Sequence, residues 1–83
     1  MKLEKKIERT AIENYVVAYA KTLRVEAKMT QAELAFKLNV STGFVGKVES
    51  KISTSKYNLN HINQMAKIFE VSPQSFLPSN FLN

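Results

Sequence analysis

The sequence has no cysteine, one histidine, two glycines and two prolines. Without cysteine there is no disulfide, no thiolate metal site and no thiol redox chemistry. A single histidine with no acidic cluster beside it leaves zinc without a ligand set, and nothing near His61 in sequence makes it a base or a ligand. The scarcity of glycine and proline goes with a scarcity of strand-like runs, in which apolar and polar residues would alternate. No apolar run approaches the roughly 18–20 residues that span a bilayer. The opening MKLEKKIERT mixes charges where a secretory signal would carry an apolar core. A cytoplasmic protein that does not enter the membrane is expected.

At 83 residues one domain is the sensible count. A chain of this size buries only about 60–65% of the surface it exposes when unfolded, enough for a modest core and little more. No nucleophile, base or metal cluster appears at a workable spacing, so no catalysis, no cofactor and no small-molecule ligand is expected. Twelve Lys and Arg against seven Asp and Glu give a net charge of +5, and the pI is about 9.6. That excess of positive charge suits a nucleic-acid partner.

Four segments carry a helical period. The first is expected from about Glu4 or Ile7 to Ala27, with Ile12, Val16, Tyr19, Leu23 and Ala27 as its apolar stripe. The Tyr15 and Tyr19 pair reads as packing. The second opens at Thr30 with Glu33 three residues on, a capping box in which each side chain satisfies the other residue's backbone N–H. Leu34, Ala35 and Leu38 form its inner face. The third opens at Ser41 or Thr42, both good N-caps, with Val45 and Val48 inward. The fourth follows Asn58 and runs to about Phe69, with Leu59, Ile62, Met65, Ala66 and Phe69 inward. Ser72-Pro73 then reads as N-cap and first-turn proline, opening a short helix over Gln74 to Leu77 that stops at Pro78. The expected organisation is a charged N-terminal extension of the first helix (1–10), a helical domain (11–78) and a tail (79–83). The fold class is all-α, four to five helices around one small core.

The most informative stretch is Thr30 to Ser50, TQAELAFKLNVSTGFVGKVES. A tight bend between its two helices needs one residue in the left-handed conformation, which Asn accepts second only to Gly. Asn39 sits there, Val40 can anchor the bend in the core, and the small Ala35 lets the helices approach. With Leu34, Val40, Val45 and Val48 assigned to the interior, the free face of the third helix holds Thr42, Gly43, Phe44, Gly46 and Lys47. Lys47 can donate to a guanine edge or a phosphate, and Thr42 can bond a base edge or touch a thymine methyl. Each of the two glycines costs a helix about 1 kcal/mol. Close approach of a partner to the backbone would account for them. An apolar Phe44 on this face would meet the same partner.

These residues resemble the phage-repressor and Cro-type helix-turn-helix regulators, the Xre family. The match is carried by Arg24, by T-Q-x-x-L-A at Thr30 to Ala35, by Leu38, Val40-Ser41, Val45, Val48 and Glu49, and by Leu59, Ile62, Ala66, Phe69 and Val71-Ser72 further on. It covers roughly Val16 to Leu77. The resemblance implies a lambda-repressor-like fold that reads double-stranded DNA with the helix at about 41–50. Thr42, Gly43, Phe44 and Lys47 would face bases. Gln31, Ser41, Lys51, Ser53, Lys56, Tyr57 and Asn58 would hold phosphates. Arg24 and Glu49 would form a partly buried structural ion pair, which makes Glu49 scaffold despite its place on the reading helix. Asn39 and Lys28 stand where relatives commonly carry glycine, and Gly43 stands where many use Gln or Arg. Base reading then rests on few side chains, with shape and phosphate contacts supplying more.

The implied function is transcription regulation by sequence-specific DNA binding, with repression the expected sense. A homodimer is expected: of Phe76, Leu77, Phe81 and Leu82 some close the core, and the contact is made either by the remainder or by the first helix. Lys2, Lys5, Lys6 and Arg9 can reach a neighbouring phosphate, although Glu4 and Glu8 among them point to a solvated face. The alternative is a protein-interaction module of the same fold, antitoxin-like or an anti-repressor partner, for which an exposed Phe44 would be a good anchor.

Overall fold

The structure is a computed structural model and describes residues 8–83. Lys2, Glu4, Lys5 and Lys6, and with them most of the extension at 1–10, lie outside the described residues. Four α-helices follow in order, α1 (Ala11–Glu26), α2 (Gln31–Leu38), α3 (Thr42–Glu49) and α4 (Leu59–Phe69), closed by a 3-10 turn at Pro73–Phe76. No strand occurs among the described residues.

The helix starts are set by local side-chain bonds. Thr30 and Glu33 make the expected capping box at α2, Ser41 caps α3 by accepting from Phe44 N–H, and Asn58 caps α4. The start of α1 differs from expectation. Thr10 and Glu13 form a further capping box there, so the chain is not helical over Glu8 to Thr10. T-x-x-E is the legible signal for that start. Ser72 caps the closing turn with Pro73 at its first position.

Three residues other than glycine take the left-handed conformation at helix ends: Lys28 (φ 57°), Asn39 (φ 60°) and Glu70 (φ 57°). Asn39 turns the chain from α2 into α3, and Val40 N–H bonds back to Ala35 O at 3.0 Å. The bend is thus built as the sequence indicates.

The core joins Val16, Val17 and Ala20 of α1, Leu34, Ala35 and Leu38 of α2, Val45 and Val48 of α3, Ile62, Met65 and Ala66 of α4, and Tyr57 and Phe76. The ring of Tyr19 meets Phe76 edge-on at 4.9 Å, and its hydroxyl donates to Ser75 Oγ. Two stripes rotate from expectation. On α1, Val17 and Ala20 go inward while Ile12 and Ala27 are exposed. On α4, Leu59 is 78% exposed. It opens the helix at its first position, next to the cap residue Asn58.

Candidate nucleic-acid interface

The α2–α3 unit is locked from behind. Arg24 of α1 grips Glu49 of α3 through two bonds of 2.8 Å each, Nε to Oε2 and Nη2 to Oε1. The Arg24 and Glu49 side chains are 12% and 4% exposed. Arg24 Nη1 also donates to Met29 O at 2.7 Å, and Gln31 Nε2 donates to Glu49 Oε1 at 2.9 Å. One carboxylate therefore ties the last turn of α3 to α1 and to the first turn of α2. Burial acts to raise the pKa of Glu49, but the bonds from Arg24 and Gln31 outweigh it and hold the carboxyl below its ordinary value. Glu49 is scaffold, with its charge spent inside the fold.

With Val45, Val48 and Glu49 turned inward, the opposite face of α3 is open. Thr42, Gly43 and Lys47 are exposed on it, with Gly46 and Ser50 half-buried at its edge. A methyl group on Gly43 would have Ser41 Oγ, at 3.9 Å, as its nearest neighbour, so nothing in the fold requires glycine there. A methyl on Gly46 would meet Gln31 Oε1 at 3.4 Å, at the edge of ordinary contact. Gly46 thus lies where α2 passes α3.

Phe44 does not share the outward face. It is half-buried and packs against the core, its ring 5.3 Å from His61 and 6.0 Å from Tyr57. The outward ridge is therefore Thr42, Gly43 and Lys47 without Phe44. Phe44 lies at the edge of the inner face, one helical turn before Val48, and Tyr57 and His61 arrive to cover it.

The expected phosphate set also divides. Tyr57 is a core residue, 7% exposed, and its hydroxyl meets no hydrogen-bond partner among the described residues. Burial pushes its pKa well up, and a phenol so placed does not reach a phosphate. Gln31 is half-buried and gives one of its two amide N–H donors to Glu49, which leaves one for a phosphate. Ser41 and Asn58 spend their side-chain oxygens on the backbone N–H groups of Phe44 and His61, and Ser53 Oγ accepts from Ser55 N–H. Lys56, half exposed, pairs with Glu13 at 3.2 Å. Lys51 is exposed and has no ion-pair partner among the described residues.

Arg9, placed by the sequence on a solvated face within reach of a phosphate, is instead structural. Its guanidinium donates to Val48 O (2.6 Å), Ser55 O (2.7 Å), Ser50 O (2.8 Å) and Asn14 Oδ1 (3.0 Å). Its partners lie up to 46 residues away, and no local pattern announces them. His61 joins Tyr57 and Phe44 in the aromatic cluster and completes the α4 capping box, where its Nδ1 accepts from Asn58 N–H at 3.0 Å. No group of three metal-ligating side chains occurs among the described residues, and none of their helices is long and apolar enough to cross a membrane.

This geometry, two short helices about a left-handed bend with the second helix bare on its outer face, coincides with a family match. The helix-turn-helix family model matches residues 21–76. The chain belongs to the Xre-type helix-turn-helix family. No similar protein is found among curated sequences. Among solved structures, the family member is similar to a tyrosine-to-phenylalanine mutant of the restriction-modification controller protein C.Esp1396I, with 26% identity and a TM-score of 0.68 over 82% of this chain and 84% of that one. The same mutant bound to its highest-affinity operator site OM aligns with the same identity and TM-score, over 82% and 87% of the two chains. A hypothetical transcription factor, NHTF, from Neisseria shares 28% identity and a TM-score of 0.64 over 93% of this chain and 90% of that one.

Proposed function

We propose that this helix-turn-helix protein binds double-stranded DNA sequence-specifically and thereby regulates transcription, with repression as the sense of the effect. The observation that carries the reading is the uncovered outer face of α3, where Thr42, Gly43 and Lys47 stand exposed on a frame fixed by Arg24 and Glu49. The major groove, about 12 Å wide, admits such a helix. Lys47 reads a base edge, Thr42 a base edge or thymine methyl, and Gly43 lets the helix backbone come close. Lys51 neutralises a phosphate beside it. The operator complex of the controller protein supports this mode. The inward turn of Phe44 takes away the anchor that favoured a pure protein-interaction module.

The protein acts as a two-fold dimer on half-sites about one DNA turn apart. The face that suits the contact is the groove lined by Leu59, Ile62, Asn63, Pro73, Gln74 and Leu77; Phe81 and Leu82 are exposed as well. Phe76, by contrast, is fully buried.

Selection of duplexes from a random library, followed by mobility shift over a range of salt, tests the reading. A shared half-site and a steep loss of affinity with salt are expected. Lys47→Ala should cost about 1–3 kcal/mol on the selected duplex and much less on random DNA. Recovery of no enriched sequence, or a Lys47→Ala loss equal on all sequences, would overturn base reading.

A further inference from the structure

We propose that Arg9 is a positioning residue for DNA binding: it sets the Lys51–Lys56 loop, and the end of α3 that leads into it, against the phosphate backbone. The inference rests on the DNA-binding reading above and goes beyond it. It identifies what holds the phosphate-facing loop in place, from a residue outside the helix-turn-helix.

The loop has little of its own to hold it. Among the described residues, no backbone–backbone hydrogen bond joins residues 51–57 to the rest of the fold. Inside it, Ile52 N–H reaches Ser50 Oγ and Ser55 N–H reaches Ser53 Oγ, both local. Its side chains give no anchor in the middle, since Lys51 and Thr54 are exposed and Ile52 is 95% exposed. Only Tyr57, at the far end, is buried.

Arg9 supplies what is missing. One guanidinium collects three carbonyls: Val48 in the last turn of α3, Ser50 at its C-cap and Ser55 across the loop. The loop is thereby closed like a ring, its two ends tied to the same planar fork. Nε holds the fork in place on Asn14 Oδ1 at 3.0 Å. The positive charge also sits at the C-terminal end of α3, where orphan carbonyls favour a cation. Lys56 adds a second tie, its Nζ 3.2 Å from Glu13, which itself caps α1. Both ties therefore run from the loop to the start of α1. The donors of Arg9 are taken up by three carbonyls and Asn14 Oδ1, so its effect on DNA passes through the loop and not through a phosphate of its own.

A lysine in place of Arg9 keeps the charge but offers a point donor in place of the fork. That separates positioning from direct phosphate contact. The experiment uses the full chain and its Arg9→Lys, Arg9→Ala, Lys51→Ala and Arg9→Lys plus Lys51→Ala variants. Affinity for a duplex selected by the wild type is measured across salt, with the melting temperature of each variant measured alongside. Lys51→Ala should lower the slope of log affinity against log salt by about 0.9. Arg9→Lys should lower it by a similar amount and weaken binding roughly tenfold at about 0.15 M salt, although its net charge is unchanged. Adding Lys51→Ala to Arg9→Lys should then change little, because the contact is already lost. Amide exchange should quicken at Ser55 and Ile52 in Arg9→Lys while α2 stays protected. A wild-type slope in Arg9→Lys with a lower slope only in Arg9→Ala would mean direct phosphate contact and overturn the proposal. A lower melting temperature with an unchanged slope in both would mean a merely structural role and overturn it too. If the wild type binds no duplex at all, the DNA-binding reading fails and this inference falls with it.

Discussion

Replacing Glu49 with alanine tests the frame behind α3 more sharply than any change on its outer face. The substitution leaves the Arg24 guanidinium, 12% exposed, facing a gap where a carboxylate 4% exposed had been. It also strands the Gln31 amide. Breaking a buried pair by removing one partner costs about 3–5 kcal/mol. Arg24 keeps its bond to Met29 O and a path to water, which puts the expected loss at the low end, about 3 kcal/mol. A chain of this length has a total stability of about 4–12 kcal/mol, so the loss is a large share of it. The melting temperature should fall by roughly 10–20 °C. Removing both partners with apolar residues, Arg24→Met plus Glu49→Leu, should recover most of that loss, because the cost lies in the uncompensated charge. Chemical denaturation of Arg24→Met, of Glu49→Leu and of the double variant gives the coupling directly. A loss under about 0.5 kcal/mol for Glu49→Ala would place the pair with ordinary exposed ion pairs and refute the argument that Glu49 locks α3. So would a coupling that vanishes in about 1 M salt, since only exposed pairs are screened so fully.

Three further outcomes follow from the buried and strained groups. Tyr57→Phe removes a buried hydroxyl with no partner; it should leave DNA binding intact and raise stability by about 1 kcal/mol, whereas a loss of stability would reveal a bond to that oxygen. Glu70→Gly relieves a left-handed residue at the end of α4 and removes an acid from the negative end of the helix dipole; a gain of roughly 0.5–1 kcal/mol is expected in thermal unfolding, and no gain would argue against strain there. His61 accepts at Nδ1 in the α4 cap and sits between Phe44 and Tyr57, where burial lowers its pKa. Its folded pKa thus lies below its unfolded value of about 6.5, so its contribution is complete above about pH 6.5 and is lost as pH falls through the folded value. Urea melts between about pH 7 and 5 should show that decline, and a decline unchanged in His61→Gln would assign it to another group.

Much of the site was readable because its signals are local. Thr30 with Glu33, Ser41, Asn58 and Ser72-Pro73 satisfy backbone groups within three residues of themselves, so helix starts follow from short patterns. Thr10 with Glu13 obeys the same rule and marks the true start of α1. Phe44 was harder to place. Its spacing fits either side of a helix eight residues long, and only the arrival of Tyr57 and His61 decides which side is covered.

From its residues alone, the sequence determined an all-α chain of basic charge, the bend at Asn39, and Thr42 and Lys47 on the free side of α3. Capping, helical period and left-handed preference act over one turn, and each needs no more than its neighbours in the chain. The tertiary structure alone decided that Tyr57 is core with Phe44 packed against it, that Leu59 is bare, and that Arg9 holds Val48, Ser50 and Ser55. Those outcomes depend on which distant segment arrives to cover or satisfy a group, and the partners of Arg9, as many as 46 residues away, meet it only once the helices have packed.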